Sequence, residues 1–487
     1  EYEARPELLP AFVTPATAAS LLFIGRSLNH IRVKGVSSAI SPELDLLSSH
    51  LKELSTLKFP INSANFSRVI ASVRLSLSQT TLQKLLPLSK VVEILFLLRE
   101  FFLLGRGEFA IALISEADEK IRSRWRRSDN LSYEKRDDWG NIVVKEGEVS
   151  AVLARTWAEM SLLQGHDEDQ DEDELLELAR DLVQLTITKS TSTPGKSPGA
   201  TNSTIAATPF RNLLLSVPVA LSLQIPSPLD LFLAPSDVQS YSSINAYLLS
   251  IRRAHLRLTD LWKITSLRRD HPAPPGPPYG SSTAGRNKVL TLRQRAKDRS
   301  AAMRGVWATS SAAVFFLGET EAYLQGEVVE GTWAGFKTWL TGSEGGSGGG
   351  EVTRPTSSKS FEEDDDDDIW LQAARESTTT RTGISHTHDP QSLADAHRRY
   401  IAALASSLLL TTPSFTDPLY HLLQQTDHLV ALVHRIYSIW ASLDLEADEG
   451  VVDAFSDFHK EETDVKEQLV VVAGRVKEAI ESLVGAL

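Results

Sequence analysis

The sequence predicts an all-α fold, an elongated array of helical bundles built from long helices and interrupted by flexible insertions. Apolar residues recur at alternating steps of three and four in three long segments, which places them on one stripe of a helix. The first stripe contains Tyr241, Ile244, Leu248, Ile251, His255, Leu258 and Trp262, and the others occupy residues 419–443 and 465–483. Strand-like alternation is scarce, and residues 141–147 are the best candidate for a short hairpin.

Capping residues indicate where several helices begin. Thr14–Pro15 and Ser41–Pro42 each place a hydroxyl side chain before a proline at the first helical position. Pro235 is followed by Ser236 and, three residues later, by Gln239, which is the pattern of a capping box. We therefore expect the helix that carries the first stripe to begin at Pro235.

Composition excludes several classes of function. The 50 Lys and Arg residues against 63 Asp and Glu residues give a net charge of −13, whereas a duplex-binding protein needs a concentrated basic surface. The chain has no cysteine, which excludes disulfides, thiolate nucleophiles and cysteine-ligated metal centres and fits a reducing compartment. We expect no nucleic-acid partner, no cofactor and no metal, and we find no motif typical of catalysis.

The sequence also indicates the chain's relation to membranes and to a longer protein. Residues 91–104 are the most apolar segment, but charged residues interrupt them and they are too short to span a bilayer. No signal peptide is recognisable at the N-terminus, so no direct membrane insertion is expected. Because the chain starts without methionine and in mid-pattern, we expect it to be a piece of a longer protein.

Three stretches interrupt the helical pattern. Residues 188–208 are rich in Ser, Thr, Pro and Gly, residues 269–286 are dominated by Pro and Gly, and residues 341–390 contain a Gly/Ser run and the acidic run 362–368. Such compositions bury too little apolar surface to offset the entropy lost on ordering. We interpret all three as flexible insertions.

The sequence from Gly105 to Ala110, GRGEFA, matches the G-x-G-x-x-A pattern of a dinucleotide-binding loop. Such a loop must follow a buried strand, because its glycines turn the chain from a sheet into a helix that holds the pyrophosphate. The apolar run of residues 88–104 is too long for that strand, and apolar residues after Gly107 again recur at steps of three or four. We therefore predict a turn between two helices.

Five segments in order resemble the gamma-tubulin complex component family. They are REFFLLGRGEFA around Gly105, FVTPATAASLLFIGRSLNHI upstream of it, and LDLFLAPSDVQSYSSINAYLLSIRRAHLRLTDLW, AVFFLGETEAYLQGEVVEGTW and SLADAHRRYIAALASSLLL downstream. Each is mainly an apolar pattern, and it is their order from residue 12 to 410 that is specific. The glycines Gly318, Gly326 and Gly331 depart from a helix that the family keeps regular.

The resemblance implies a scaffold rather than an enzyme. It implies that residues 1–85 are the end of the N-terminal helical domain, which contacts other gamma-tubulin complex components laterally, and that residues 86–487 form the C-terminal domain, which binds gamma-tubulin. It also implies a role in microtubule nucleation at a microtubule-organising centre, either a spindle pole body or a centrosome, and hence a location in the cytoplasm and cytoskeleton. An alternative is a helical-rod tethering or adaptor subunit that binds other cytosolic or membrane-associated proteins.

Partner-binding residues are predicted at exposed or half-exposed positions on the matched helices. They are Arg252, Arg253, Arg257, Tyr323, Glu327, Glu330, Trp333, Arg398 and Arg399. The first three arginines lie off the apolar stripe, so they form either a solvated face or a contact with an acidic partner. His255 and His397 lack a ligand-spaced neighbour on their own helices and are interpreted as packed core histidines.

Overall fold

The computed structural model describes residues 9–34, 41–57, 59, 61–77, 88–129, 145–164, 170–188, 209–226, 229–265, 282–341, 390–449 and 458–486. Over these residues the chain is almost entirely helical, and the prediction of an all-α fold with long helices is confirmed. The helices before the GRGE turn are α1 (Pro15–Lys34), α2 (Ser41–Ser55), α3 (Ser63–Leu77) and α4 (Leu88–Leu97), which continues into the π-helical turn Leu98–Phe102.

The turn is followed by ten further helices and one small sheet within the described residues. The elements are α5 (Gly107–Asp129), α6 (Glu146–Gln164), α7 (Gln170–Leu182), β1 (Val183–Ile187), β2 (Val219–Leu223), α8 (Pro235–Thr259), α9 (Trp262–Thr265), α10 (Thr283–Ala322), α11 (Glu330–Thr341), α12 (Pro390–Ser407), α13 (Pro413–Glu449) and α14 (Phe458–Ala486). A π-helical segment, Tyr323–Val329, joins α10 directly to α11. Residues 283–341 are therefore one uninterrupted helical rod.

Helix α8 lies at the centre of the core, where it contacts α5, α10, α12, α13 and β2. The predicted stripe from Tyr241 to Leu258 faces this core, and its apolar members are at most 3% exposed. Trp262 is an exception, since α8 ends at Thr259 and Trp262 opens α9 with 46% of its surface exposed. The prediction that all seven stripe residues share one helix is wrong at Trp262.

The start of α8 is at Pro235 as predicted, but a different side chain caps it. Ala234 occupies the N-cap position, and its backbone N–H donates to Oδ2 of Asp237 at 3.0 Å. Asp237 is 3% exposed, and burial raises its pKa against the opposing effect of this hydrogen bond. The expected box of Ser236 and Gln239 is therefore wrong by two positions, because the carboxylate of Asp237 is the better acceptor for a free N–H group.

The two C-terminal helices pack against each other as an antiparallel hairpin, and both predicted stripes lie in their interface. Every apolar member of the α13 stripe from Leu419 to Leu443 is buried, with Thr426 among them at 1% exposure. Trp440 of α13 donates its indole N–H to Glu462 Oε1 of α14 at 2.7 Å. Helix α14 also packs against α10, so the long rod is held by both α8 and α14.

The only strands among the described residues were not predicted. β1 and β2 pair antiparallel with Leu185 opposite Leu221, and the ladder is extended by Thr188, whose N–H donates to the carbonyl of Pro218 at 2.8 Å. Each strand has only five residues, too short for its alternation to stand out from a buried helical run. The hairpin expected over residues 141–147 falls mainly on 141–144, outside the described residues, and Glu146 and Gly147 belong to α6.

The three predicted insertions fall mainly outside the described residues, at 189–208, 269–281 and 342–389. Their predicted limits were too wide at the edges. Residues 283–286 form the first turn of α10, where Ser282 Oγ accepts the N–H of Gly285 at 3.2 Å. Thr188 belongs to the sheet ladder, Thr341 ends α11 and Pro390 begins α12.

Candidate partner-binding surface

The GRGE sequence is a tightly packed turn between helices α4 and α5. After the π-helical turn, Leu104 takes a left-handed conformation with φ of 59°, which ends the helix in the manner of a C-cap. A Cβ atom on Gly105 would lie 3.0 Å from the carbonyl oxygen of Arg99, so close backbone approach favours glycine there. The prediction of a turn with helices on both sides is confirmed.

The π-helical turn leaves backbone carbonyl groups that need hydrogen-bond donors, and one side chain of α8 donates to two of them. The side-chain amide of Asn245 donates to the carbonyl oxygens of Phe101 at 3.2 Å and Phe102 at 3.0 Å. Asn245 is 4% exposed, so these bonds satisfy polar groups that water does not reach. They fix the turn to the central helix.

The second π-helical segment, Tyr323–Val329, lies close to the first. Arg99, within the first segment, forms an ion pair with Glu330, the residue that follows the second. The ring of Phe96 on α4 packs edge-on against Trp333 of α11 at 5.5 Å between centroids. Two irregular helical segments are therefore joined by one ion pair and one aromatic contact.

The long rod packs against α8 at Gly318, with room for an ordinary van der Waals contact. A Cβ atom there would lie 3.5 Å from the imidazole ring of His255. His255 Nδ1 lies 2.7 Å from Glu321, which also accepts from Arg252 at 2.6 Å. The helix from residue 313 to 333 is therefore continuous in spite of its glycines, and it changes to a π-helix around Gly326 rather than breaking.

One face of this rod is exposed and combines aromatic with acidic side chains. Phe315 is 70% and Tyr323 is 56% exposed. The residues that share the face step mainly by four and are Phe315, Glu319, Tyr323, Glu327 and Glu330, which we call the aromatic–acidic face. A step of four residues is slightly more than one turn of an α-helix, so side chains at this spacing move gradually around it. The π-helical segment has more residues per turn, which keeps these side chains closer to one face. The face is thus continuous along the exposed side of the rod.

Sequence reasoning found Tyr323, Glu327 and Glu330 but missed Phe315 and Glu319. Phe315 and Phe316 are adjacent, so a helix cannot bury both fully on one side. Phe316 is half-buried against the core and Phe315 points to solvent. Glu319 and Phe315 lie four and eight residues before Tyr323, so extending the same spacing towards the N-terminus would have identified both.

The predicted arginines of α8 lie in internal ion pairs. Arg253 is 5% exposed, and its guanidinium donates to Asp118 of α5 at 2.9 Å and to Asp427 of α13 at 2.7 Å. Burial alone would lower the pKa of Arg253, but the two carboxylates raise it. Arg257 donates to Asp427 at 2.6 Å. The expectation of a solvated face is wrong for Arg253, because α5 and α13 cover it.

The remaining predicted residues are divided between core and surface. Trp333 is 3% exposed, which contradicts the expectation of an exposed position, and it packs against Phe96 and Tyr400. Arg398 is half-exposed, with its Nε 3.7 Å from Asp237, and Arg399 beside it on α12 is exposed. Both remain available on the surface of α12.

His397 is a packed core histidine, as predicted. It is fully buried, its Nε2 lies 3.0 Å from the hydroxyl of Tyr241, and its ring stacks among Phe232, Phe336 and Tyr400. Burial lowers the pKa of His397 to about 3, so its ring is neutral. His255, by contrast, is half-buried beside Glu321 and belongs to the contact between α8 and the rod.

The geometry defines an all-α protein with an exposed aromatic–acidic face on its long helical rod. In the part of the chain that the structure describes, no group of His, Asp or Glu residues is arranged to hold a metal ion. Nor does any of the described helices combine the length and apolar character needed to cross a membrane. The buried Arg253 pairs with the carboxylates of Asp118 and Asp427, and the aromatic–acidic face is exposed.

Comparison with protein families agrees with the five motifs. A family model described as the gamma tubulin complex component C-terminal region matches residues 92–487, and the chain belongs to the gamma-tubulin complex component family. The form Gly105-Arg106-Gly107-Glu108 resembles component 4 among the family's members. Two curated relatives are of that type.

These relatives are gamma-tubulin complex component 4 of Homo sapiens and of Mus musculus. Each is 22% identical to the chain over 281 residues, which cover 55% of the chain. The aligned part covers 37% of each relative, so the chain matches well under two thirds of their length.

Proposed function

We propose that the chain is a non-enzymatic scaffold component of a gamma-tubulin complex. In this role residues 86–487 bind gamma-tubulin, and residues 1–85 belong to the domain that contacts neighbouring components laterally. The assembled complex then supports microtubule nucleation at a spindle pole body or centrosome, within the cytoplasm and cytoskeleton. The observation that carries the proposal is the family match over residues 92–487, which contains every helix from α5 to α14.

The aromatic–acidic face is the surface we propose for gamma-tubulin. Exposed aromatic side chains on a rigid helix supply large contact area at low entropic cost, and they are enriched at interface hot spots. The rod is held by α8 and α14, so the face is preorganised before any partner binds. Arg399 and Arg398 on α12, which contacts the π-helical segment and α11, would extend the contact with positive charge.

The first experiment measures complex formation between the full chain and purified gamma-tubulin by sedimentation velocity at moderate salt. A one-to-one complex at micromolar concentration is the expected result. If the chain is folded and helical by circular dichroism but leaves gamma-tubulin unbound, the proposed partner is wrong. The helical-rod tethering subunit would then be the function to test.

The second experiment locates the site with the double variant Phe315→Ala/Tyr323→Ala. We expect the Kd for gamma-tubulin to rise at least about tenfold, because truncating an aromatic hot spot costs roughly 2 kcal/mol. Both side chains are exposed, so the fold should not change. The matched control is Leu162→Ala/Val470→Ala, which removes two apolar side chains that are 79% and 69% exposed elsewhere. Equal effects of the two variants would exclude the aromatic–acidic face as the site.

A further inference from the structure

The first part of α10 carries a strong positive charge that the proposed function leaves unexplained. Against the single acidic residue Asp298, residues 283–304 contain the basic residues Arg286, Lys288, Arg293, Arg295, Lys297, Arg299 and Arg304. The chain as a whole has a net charge of −13. The sign reverses along the same rod, since residues 305–341 contain four glutamates and only Lys337 as a cation.

Two of these cations hold α10 to α13. Arg295 and Arg299 both donate to the carboxylate of Asp444 at 2.8 Å. The guanidinium of Arg299 also lies over the ring of Trp440, at 5.2 Å from its centroid. Their charge is therefore used within the fold.

Four others line up along the outside of the helix. Arg286, Arg293, Lys297 and Arg304 follow one another at steps of seven, four and seven, and all four are exposed. At about 100° per residue they fall within roughly 40° of the helix circumference, and at 1.5 Å per residue they extend over about 27 Å. We call these four residues the basic stripe. The buried residues Val289, Met303 and Val306 lie on a different side of the helix.

Three of the four stripe residues direct their charge at solvent. Within the described residues, Arg286, Lys297 and Arg304 form no ion pair with a carboxylate of the chain. Like charges held this close repel each other and create a positive potential on an otherwise acidic molecule. An anionic partner of matching length would relieve that repulsion.

The observations favour an extended acidic peptide over other polyanions. About eight or nine extended residues, at roughly 3.3 Å each, cover the length of the stripe. A membrane-surface helix needs an exposed apolar face, whereas the buried face of α10 already packs on α8 and α14 and Leu290 alone is an exposed large apolar residue beside the stripe. A duplex-binding protein commonly makes about 6–10 phosphate contacts, whereas the stripe supplies only its four cations.

We propose that the basic stripe binds an extended acidic peptide segment of a protein partner. The site is separate from the aromatic–acidic face, and it holds its partner by charge complementarity along one side of a preformed helix. Binding of this kind is strong at low ionic strength and weakens as salt screens the exposed charges.

The test uses the full chain and a fluorescein-labelled peptide of about ten alternating Glu and Asp residues, long enough to cover the stripe. Fluorescence anisotropy measures its Kd at about 50 mM and about 300 mM salt, which bracket physiological screening. The variant is Arg286→Gln/Lys297→Gln/Arg304→Gln. The control, Lys145→Gln/Arg155→Gln/Lys263→Gln, removes the same number of positive charges from exposed positions elsewhere.

We expect the stripe variant to raise the Kd about tenfold at low salt, since three exposed charge contacts are lost. The control should leave the Kd within about twofold, and circular dichroism should show both variants folded. Equal weakening by the two variants would overturn the proposal, because net charge alone would then explain binding. Undetectable binding of the peptide to the unsubstituted chain at low salt would overturn it as well.

Three further arms separate the alternatives. Tighter binding to vesicles containing phosphatidylserine than to the peptide, lost in the stripe variant, would assign the stripe to a membrane surface and overturn the proposal. Tighter binding to duplex DNA would overturn it in the same way. The substitutions Asp364→Asn through Asp368→Asn neutralise the chain's own acidic run. If these substitutions strengthen peptide binding severalfold, the chain's own acidic run competes for the stripe. That result would overturn the proposal of a segment from a protein partner.

Discussion

Two sets of basic residues on neighbouring helices meet opposite environments in this protein. On α8, Arg253 and Arg257 lie between α5 and α13, and each reaches Asp118 and Asp427. On α10, Arg286, Lys297 and Arg304 point away from the core. Both sets occur in helices of similar regularity within an acidic chain. The difference is whether another helix covers them.

The comparison shows what a charge does in each place. A buried guanidinium must be matched by carboxylates, because an unpaired charge in the interior is strongly unfavourable. An exposed one remains hydrated and contributes little to folding, which leaves it available for a partner. Two of the arginines predicted to bind a partner, Arg253 and Arg257, therefore hold three helices together. Cations that the sequence did not single out remain exposed on α10.

The largest expected effect is that of removing Arg253. The variant Arg253→Met removes the buried guanidinium between Asp118 and Asp427 and leaves them only the more exposed Arg257 of α8. We therefore expect the free energy of unfolding to fall by about 3–5 kcal/mol. Arg286→Met, the matched change on α10, should alter it by no more than about 0.5 kcal/mol. Urea denaturation followed by circular dichroism measures both values. Similar losses of unfolding free energy for the two variants would show that the covered arginines of α8 and the exposed cations of α10 contribute equally to folding.

A second interior group extends the comparison to pH. The pKa of His397 is about 3 in the folded protein, because the ring is fully buried, against about 6.5 for an unfolded histidine. Between these values the unfolded chain binds more protons, so stability is full above pH 6.5 and decreases as the pH falls. We expect a loss of about 3 kcal/mol between pH 6.5 and pH 4 from this residue.

The check is the pH dependence of the free energy of unfolding in the variant His397→Phe. Phenylalanine cannot be protonated, so the decrease between pH 6.5 and pH 4 should be smaller than in the unsubstituted chain. His255→Phe serves as the control, since His255 is half-buried beside Glu321. An unchanged pH profile for His397→Phe would show that other groups cause the decrease.

The smallest expected effect concerns Asp444, which is 42% exposed and pairs with Arg295 and Arg299. Burial raises the pKa of Asp444, but hydrogen bonds and charge from Arg299 and Arg295 outweigh it, so the pKa lies below its ordinary value. The stability that the lowered pKa of Asp444 contributes is present above the unfolded pKa of about 3.9 and is lost as the pH falls below that value.

The measurement for Asp444 is acid unfolding below about pH 4, where the unsubstituted chain should lose stability more steeply than Asp444→Asn. We expect a difference of no more than about 1 kcal/mol, because solvent screens a pair exposed to this degree. Identical pH profiles for the two proteins would show that this ion pair contributes as little to folding as the exposed charges of the stripe.

Much of the fold could be predicted from local pattern. The stripes of α8, α13 and α14 are apolar at helical spacing over many turns, and their burial followed directly from that periodicity. The turn at Gly105 was predictable because the run before it is too long for a strand. The family could be recognised because the order of five segments is specific even where each one is weak.

Some features depend on contacts between residues far apart in the chain. The β1–β2 pair joins segments more than thirty positions apart, and the cap of α8 is a buried Asp237 rather than the expected Ser236. Trp333 is buried because α4 and α12 cover it, whereas Phe315 is exposed because nothing in the described chain does. No local pattern distinguishes these two positions.

The sequence by itself determined that the chain is helical, acidic and free of cysteine, where its long apolar stripes lie, and which family it belongs to. These properties follow from composition, spacing and the order of segments along the chain. The tertiary structure alone decided which charges are paired inside and which are left outside. That choice depends on the carboxylates that distant helices place beside each cation, and burial makes such pairing obligatory only where water is excluded.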